Sequence, residues 1–328
     1  MKAGERGAPV MNGASTIIRA SDLRKSYGDR VALEGVSIAV NRGEIVGLLG
    51  PNGAGKTTTL SILSGVLTPD AGSVSIDGHD LATAKAQARE CLGLVPQSLA
   101  LYPTLTAVEN LMFFGRIQGL SSRQASEGSL KLLEEVGLSD RAHDAVEEFS
   151  GGMKRRLNIA CGMLHSPTAI MLDEPTVGVD PQSRERIFTV IEAAAARGAA
   201  ILYSTNYMEE AERLCDRIIL IDHGSIVARG TTTELIALAG TETRLEVTTR
   251  RALAPGWCKG MAGVSELPWA VAEGFAAALS VASIDHVPAL IRRAGEMGVE
   301  VIEFHVHRPN LQDAFIKLTG HALRDAPT

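Results

Sequence analysis

Residues 50–57 read Gly50-Pro51-Asn52-Gly53-Ala54-Gly55-Lys56-Thr57, which is the complete pattern Gly-x-x-x-x-Gly-Lys-Thr. A compact apolar run over 44–49 precedes this loop, and apolar residues at helical spacing follow it over 56–67. In such a strand-loop-helix setting the glycines let backbone amides curl around phosphate oxygens, while the helix directs its positive end at them. The stretch therefore predicts an α/β protein that binds a nucleotide by its phosphates.

Polar side chains beside this loop supply the remaining parts of a site for ATP and Mg²⁺. Lys56 is expected to neutralise the β and γ phosphates, Thr57 to bind Mg²⁺ through its hydroxyl, and Thr58 to donate to a phosphate oxygen. A second apolar strand ends in Asp173, whose carboxylate can hold Mg²⁺ through water, and Glu174 can polarise an attacking water. Paired acids at a strand end also serve as helix caps, but the phosphate loop favours the nucleotide site.

Length, charge and hydropathy limit the class of protein. At 328 residues the chain exceeds the usual size of one hydrophobic core, so a large domain plus a smaller one is expected. The net charge of -6 argues against a partner made of nucleic acid. No apolar run reaches the roughly 18 residues of a membrane-spanning helix, and residues 1–16 lack the apolar core of a secretion signal. We expect a cytoplasmic protein that reaches a membrane only through a partner.

The pattern of apolar and polar residues changes along the chain and predicts its domains. After a flexible segment over 1–16, a nucleotide-binding domain is expected over 17–240, beginning with antiparallel strands. Helical patterns replace β-branched runs over 98–167, which predicts an α-helical subdomain. Buried-type strands separated by a helix then indicate a parallel sheet. Residues 241–328 predict a small α+β domain.

The expected last helix of that small domain begins at Pro309, a proline favoured in a first helical turn. Leu311, Phe315 and Leu318 would form its apolar face. His305 and His307 lie two apart on a predicted strand and therefore share a face, which permits metal binding. A solvated strand face is the better interpretation, because no third ligand is in view.

Residues 149–153 read Phe-Ser-Gly-Gly-Met and are followed by the basic run 154–156. Together with the phosphate loop upstream and the Asp173-Glu174 pair downstream, they resemble the signature motif of the ATP-binding cassette (ABC) ATPases. The resemblance implies that Ser150, Gly151 and Gly152 bring their backbone amides against a γ-phosphate presented by another subunit. The resemblance extends over 17–234 and implies an ABC-type P-loop NTPase core that hydrolyses ATP.

The resemblance also assigns roles outside the two glycine-rich motifs. It implies that Tyr27 stacks on adenine, that Gln97 contacts Mg²⁺ and the attacking water while linking to a membrane partner, and that Asp180 meets the opposite subunit of a dimer. Each residue also has an ordinary explanation: a strand-end aromatic, a loop residue after a proline, and the cap of a helix. The collinear order of all these motifs favours the functional roles.

Two further features resemble the exporter branch of the family. Met153 with its basic sequel looks like the ATPases that power exporters of drugs, lipids or polysaccharides. The ending over 308–320 resembles the C-terminal extension of antibiotic-resistance ATPases of the daunorubicin type, although an apolar helix face at the chain end is also explained by packing. The implied protein is a peripheral subunit on the inner face of the membrane, which pairs with a permease and with a second cassette that is expected to be an identical chain. The transported compound is not indicated.

One position departs from the family pattern. Where Ser-Thr-His-x-Met-Glu-Glu is expected, residues 204–210 carry Asn206 in place of the switch histidine. Asparagine is shorter and cannot become a cation, so loss of the contact predicts hydrolysis slowed by roughly 10- to 150-fold with ATP binding retained. The alternative is that the amide still reaches the phosphate at little cost.

Two other functions stay open on the sequence. A degenerate, non-hydrolytic regulatory subunit would explain Asn206, although Glu174 argues against it. A soluble ABC ATPase of translation or DNA repair is disfavoured by the acidic balance and by the single cassette.

Overall fold

The computed structural model describes residues 15–240, 243–251, 253–254, 256–267, 276–281 and 284–320. Two compact units make up the chain, and they are divided between Thr231 and Thr232. The helix Thr232–Ala239 packs on the helix Leu311–Thr319 of the second unit. The division therefore falls before this helix, whereas the residue pattern of the sequence predicts a boundary near residue 240.

An antiparallel sheet opens the first unit. Its strands are β1 (Thr16–Tyr27), β2 (Arg30–Asn41), β4 (Ala71–Ile76) and β5 (His79–Asp80), in the order β2-β1-β4-β5. The buried side chains of this sheet include Ile18, Leu23, Val36 and Ile38. In β2 the buried positions 36, 38 and 40 alternate, as the sequence predicts, whereas in β1 a register shift between Ala20 and Leu23 breaks the alternation.

A second sheet carries the site. Its strands are β3 (Ile45–Leu49), β6 (Leu92–Val95), β7 (Ala169–Asp173), β8 (Ala200–Thr205), β9 (Arg217–Asp222) and β10 (Ser225–Gly230), in the order β10-β9-β3-β8-β7-β6. The first five are parallel, and only β10 is antiparallel to its neighbour β9. Every residue of β3, β7 and β8 is buried, which explains their continuous apolar runs. Because these strands are parallel, the segments that follow them meet at one edge.

The helices of the first unit are α1 (Lys56–Leu63), α2 (Lys85–Glu90), α3 (Ala107–Ile117), α4 (Ser122–Glu135), α5 (Gly151–Met163), α6 (Pro181–Ala196) and α7 (Met208–Leu214). Of these, α3, α4 and α5 lie within the segment 98–167, for which the sequence predicts a helical subdomain. Capping boxes begin α3 at Thr106 and α4 at Ser121. Helix α1 is shorter than the predicted 56–67, because the chain turns at Gly65 with a φ of 68°.

The second unit has its own sheet and apolar core. Its elements are α8 (Thr232–Ala239), β11 (Thr243–Thr249), β12 (Val264–Glu266), β13 (Ala276–Val281), α9 (Val287–Glu296), β14 (Val301–His307) and α10 (Leu311–Thr319), with the antiparallel strand order β12-β13-β11-β14. Leu245, Val247, Leu279 and Leu290 lie in its core. The fold class predicted from the sequence, an ABC-type α/β core followed by a small α+β domain, is confirmed.

The predicted start of the last helix is wrong by two residues. Helix α10 begins at Leu311, and its N-cap is Asn310, whose side chain accepts a hydrogen bond of 2.9 Å from the Asp313 amide. Since the asparagine amide oxygen satisfies a free N–H of the first turn, Pro309 stays outside the helix. Throughout the described ranges, none of the helices has the length and apolar character needed to span a bilayer.

Candidate nucleotide site

A cleft of about 470 Å³ opens at the edge of the parallel sheet where β3, β7 and β8 end. Its lining joins five predicted regions: the phosphate loop, Tyr27, Gln97, the segment around Glu174 and the segment around Asn206. Arg30, Ala32, Val177 and Tyr207 complete the lining and were not predicted from the sequence. Motifs spread over most of the first unit therefore converge on one cleft of a size usual for a ligand site.

The phosphate loop needs its glycines for two different reasons. Gly53 and Gly55 have φ angles of 82° and 107°, in the region that favours glycine. A Cβ on Gly55 would lie 2.7 Å from Leu33 Cδ2, so this glycine also lets the loop pack closely against β2. The loop thereby reaches the first turn of α1 with Thr57 exposed and Thr58 half-buried. Both hydroxyls belong to the lining of the cleft.

Lys56 is buried but keeps its ammonium group in the cleft. Its side chain is 4% exposed, and Nζ donates to the carbonyl oxygens of Gly50 at 2.8 Å and Pro51 at 3.2 Å. The same Nζ lies 3.2 Å from Glu174 Oε1. Such a buried cation needs anionic or carbonyl partners, which the loop and the carboxylate provide.

Glu174 occupies a strained position between two strand ends. Its φ is 44°, which is uncommon for a residue other than glycine. Its amide donates to Ser204 Oγ at 3.1 Å and lies 3.2 Å from the Ser204 carbonyl oxygen, while its Oε2 accepts a hydrogen bond of 2.9 Å from Gln97 Nε2. This left-handed turn directs Glu174 into the cleft. Asp173 takes a different direction, is buried outside the lining, and accepts a hydrogen bond of 2.6 Å from Ser204 Oγ.

Asn206 lines the cleft together with Glu174 and Gln97. Its Oδ1 is buried and accepts no hydrogen bond from the described residues. An unpaired buried amide oxygen is unfavourable, so this atom adds no stability to the protein around it. Because Asn206 lines the cleft, its side chain can interact with a ligand that enters there.

The signature residues lie at the start of α5 and are not among the described residues that line the cleft. Ser150 is the N-cap of α5, and its Oγ accepts a hydrogen bond of 3.3 Å from the Met153 amide. Among the residues the structure describes, apart from those next to it in its own helix, none has an atom within 4 Å of the position a Cβ would take on Gly151. A Cβ on Gly152, by contrast, would lie 2.5 Å from Ser183 Oγ and 2.8 Å from Asp180 Oδ2. Gly151 thus leaves its backbone open to a ligand, whereas Gly152 allows close packing against α6.

Asp180 caps the helix that Gly152 packs against. Its Oδ1 accepts a hydrogen bond of 2.9 Å from the Ser183 amide, and this bond lowers the pKa of the carboxyl. The ordinary role weighed for this residue, an N-cap before Pro181, is therefore present in the structure. A role across a dimer interface stays a prediction.

Arg155 is a site residue that sequence reasoning missed, since it was noted only as part of a basic run. It is 7% exposed, and its NH1 donates to the carbonyl oxygens of Gln97 at 2.7 Å and Pro96 at 3.3 Å. Burial lowers the pKa of this guanidinium from its usual value, yet arginine stays protonated in proteins. The helix of the signature motif therefore holds the backbone of Gln97.

His305 and His307 each lie beside a single carboxylate in the described part of the chain. In β14 their ring nitrogens lie 3.0 Å from Glu303 and 3.3 Å from Glu246, and all four side chains are at least partly exposed. Among the residues the structure describes, no cluster of three or more histidine, cysteine or acidic residues is arranged to hold a metal.

The chemistry of the cleft fits ATP with Mg²⁺. The loop offers one ammonium group, two hydroxyls and backbone amides next to a helix N-terminus, which suit a polyphosphate. Gln97 and Glu174 offer the oxygen ligands and the base that a hydrated Mg²⁺ and an attacking water require. Asn206, whose Oδ1 has no hydrogen-bond partner among the described residues, lines the same cleft.

Known proteins resemble this chain over most of its length. The ABC transporter family model matches residues 33–177. The linearmycin resistance ATP-binding protein LnrL of Bacillus subtilis is 38% identical over 312 residues, covering 94% of this chain and all of LnrL. The doxorubicin resistance ATP-binding protein DrrA of Mycobacterium tuberculosis is 40% identical, covering 90% of this chain and 92% of DrrA. A Nod factor export ATP-binding protein of Cupriavidus metallidurans is 38% identical, covering 95% of this chain and all of that protein.

Solved structures match the cassette. An ATP-binding subunit of an ABC transporter is 34% identical with a TM-score of 0.64, covering 69% of this chain and 94% of that one. A dimeric ATP-binding cassette in a post-hydrolysis state with ADP and phosphate is 26% identical with a TM-score of 0.60, covering 66% of this chain and 98% of that one.

The chain belongs to the family of ABC transporter ATP-binding proteins. More narrowly, it is an ABC-type ATPase of the drug-resistance and export type.

Proposed function

We propose that this chain hydrolyses ATP at sites shared between two copies of itself and thereby drives a separate membrane permease. One observation carries the proposal: the phosphate loop lines a cleft with Glu174, whereas Ser150 and Gly151 are exposed away from that lining. In a dimer in which each signature motif faces the phosphate loop of the other copy, the two facing motifs would bind the same ATP molecule. Binding of ATP then favours the closed dimer.

Each side chain in the cleft has a distinct task in this proposal. Lys56 and Thr58 hold the phosphates, and Tyr27, which is 52% exposed, offers its ring to the adenine. Thr57 and Gln97 would hold Mg²⁺, which stabilises charge on the transferred phosphoryl group, and Asp173, which lies outside the lining, would act on the ion through water. Glu174 accepts a proton from the attacking water, and its hydrogen bond with Gln97 fixes one of its oxygens.

An exposed aromatic pair supports docking to a permease. Tyr102 and Phe113 are 46% and 39% exposed, and their ring centroids are 4.7 Å apart. Leu99, two residues after Gln97, is 44% exposed. Large apolar side chains that are exposed together mark interaction sites. A permease bound here would be linked to the cleft through residues 97–102 and would hold this chain at the cytoplasmic face of the membrane.

The exported compound is proposed from the relatives. Linearmycin, daunorubicin and doxorubicin appear in the names of resistance proteins that resemble this chain along most of their length. We propose a compound of this drug type, selected by the permease. A test is export of daunorubicin from cells that express this chain with the membrane protein it copurifies with.

Turnover tests the shared site. Glu174→Gln should lower ATP turnover by about 100-fold or more, because removing a general base costs 10²- to 10⁴-fold, and it should leave an ATP-bound dimer. Glu90→Gln, an exposed substitution in α2, is the matched control and should turn over like the unmodified chain. Equal turnover of both variants would overturn the assignment of Glu174.

Copurification tests the partner. A tagged chain isolated from its own membranes in mild detergent should bring down a polytopic membrane protein. Ribosomes or DNA in its place would contradict the transport proposal. ATP-dependent dimerisation without turnover, with the permease present, would instead favour a regulatory subunit.

A further inference from the structure

Glu210 is a buried carboxylate that the proposed reaction does not use. It is 2% exposed and lies on α7, four residues after Asn206. A buried carboxylate is costly unless several donors satisfy it, and this one is surrounded by them. Its neighbours decide what it does.

Three hydroxyls donate to this carboxylate. Thr176 Oγ1 donates to Oε1 at 2.6 Å, while Tyr203 Oη and Thr205 Oγ1 each donate to Oε2 at 2.9 Å. Arg184 on α6 adds an ion pair, with its Nε at 3.5 Å from Oε1. Burial, reinforced by the charge of Glu210, raises the pKa of Tyr203, so that the phenol remains a donor.

Two of these hydrogen bonds come from residues next to the lining of the cleft, Thr176 and Thr205. Thr176 is two residues after Glu174, and Thr205 immediately precedes Asn206. The Thr205 hydroxyl also accepts a hydrogen bond of 3.0 Å from the Tyr207 amide. Glu210, Thr205 and Tyr207 therefore form a continuous brace that spans Asn206 on both sides.

We propose that Glu210 is a positioning residue for ATP hydrolysis, which fixes the segment carrying Asn206 relative to the segment carrying Glu174. The two segments follow different strands, β8 and β7, and one carboxylate bonds to both. A carboxylate suits this task because each of its oxygens accepts more than one hydrogen bond, whereas the amide of glutamine would present two N–H donors to hydroxyls that already donate. This inference rests on the proposed function of the cleft.

Two matched substitutions distinguish positioning from mere stability. Thr205→Val removes the bond beside Asn206. Tyr203→Phe removes a bond of equal length to the same oxygen and a 3.2 Å contact with Thr176, and it leaves the bonds among Glu210, Thr205 and Tyr207 in place. Both should lower the melting temperature to a similar extent. Positioning predicts that Thr205→Val lowers kcat for ATP by about 10-fold with little change in KM, whereas Tyr203→Phe retains kcat.

Glu210 itself is compared with its neighbour Glu209. Glu210→Gln should lower kcat by about 10-fold or more, and Glu209→Gln, at an exposed position in the same helical turn, should leave kcat unchanged. ATP affinity measured without Mg²⁺ should be equal in both variants, which also shows that they fold. Equal kcat values for Thr205→Val and Tyr203→Phe, or for the two glutamine variants, would overturn the inference. Absence of turnover in the unmodified chain assembled with its permease would instead overturn the proposed function.

Discussion

The two glycine-rich motifs of this cassette differ in their surroundings. The phosphate loop lies in a cleft with Gln97 and Glu174, and its Lys56 is only 4% exposed. The signature motif lies at the exposed start of the otherwise largely buried helix α5, and within the described ranges no neighbouring element comes within 4 Å of the Cβ position of Gly151. If both motifs offer backbone amides to phosphate, as the proposed function requires, this difference means that one chain carries unlike parts of two sites.

The largest expected effect tests whether those parts belong to different sites. Lys56→Ala and Ser150→Arg should each lower ATP turnover by about 100-fold or more, since each affects charge stabilisation at a phosphate. A mixture of the two variants should recover turnover, because the mixed dimer contains one site with an intact loop and an intact signature. The measurement is steady-state turnover of each variant and of the mixture at equal total concentration.

The control for this experiment is a mixture of Lys56→Ala with the doubly substituted Lys56→Ala, Ser150→Arg chain, which contains no intact site. A mixture of the single variants that is no more active than this control would contradict the shared arrangement. Each variant chain is first assembled with the same permease.

The next largest effect concerns Asn206, which lines the same cleft as the phosphate loop. Asn206→His should raise steady-state turnover by roughly 10- to 150-fold, because an imidazole supplies the charged hydrogen bond that the amide lacks. ATP affinity should change little. An unchanged rate in the assembled transporter would mean that the asparagine already makes the contact or that another step limits turnover.

A smaller effect separates the two roles of Ser150. Ser150→Ala should lower the free energy of unfolding by about 1 kcal/mol, because the N-cap of α5 is lost. Ser150→Thr retains a capping hydroxyl and should restore most of that stability. Urea denaturation of both variants measures the difference, and equal stability of the two would show that the cap contributes nothing here.

The smallest effect is the pH dependence contributed by Asp180. Its bond with the Ser183 amide lowers the carboxyl pKa below the usual value of 3.8 in the folded chain. The contribution to stability is therefore complete above the pKa of the unfolded chain and is lost as the pH falls through the folded pKa. Asp180→Asn should make stability between pH 5 and about 2 less dependent on pH, as measured by denaturation at several pH values.

The spacing of residues within short segments was enough to predict the fold class and the main motifs of the site. Residues 50–57, the Asp173-Glu174 pair and 150–152 were recognisable because a loop or a helix start fixes local backbone geometry, and the same residue types are needed wherever it occurs. The alternation of buried strands and helices predicted the α/β class for the same reason, since side-chain period follows the local structure. Local rules failed at Pro309, where the competing cap at Asn310 prevailed.

Tertiary structure alone decided which distant groups bond to each other. Gln97 and Glu174 are 77 residues apart, and Arg155 and Gln97 are 58 residues apart, so no periodicity links them. Likewise, only packing against α6 distinguishes Gly152 from Gly151, and only the meeting of two strand ends makes Glu210 a shared partner. The sequence determined which chemical groups the cassette contains, and long-range packing determined their partners, because hydrogen bonds depend on distances that the folded sheet creates.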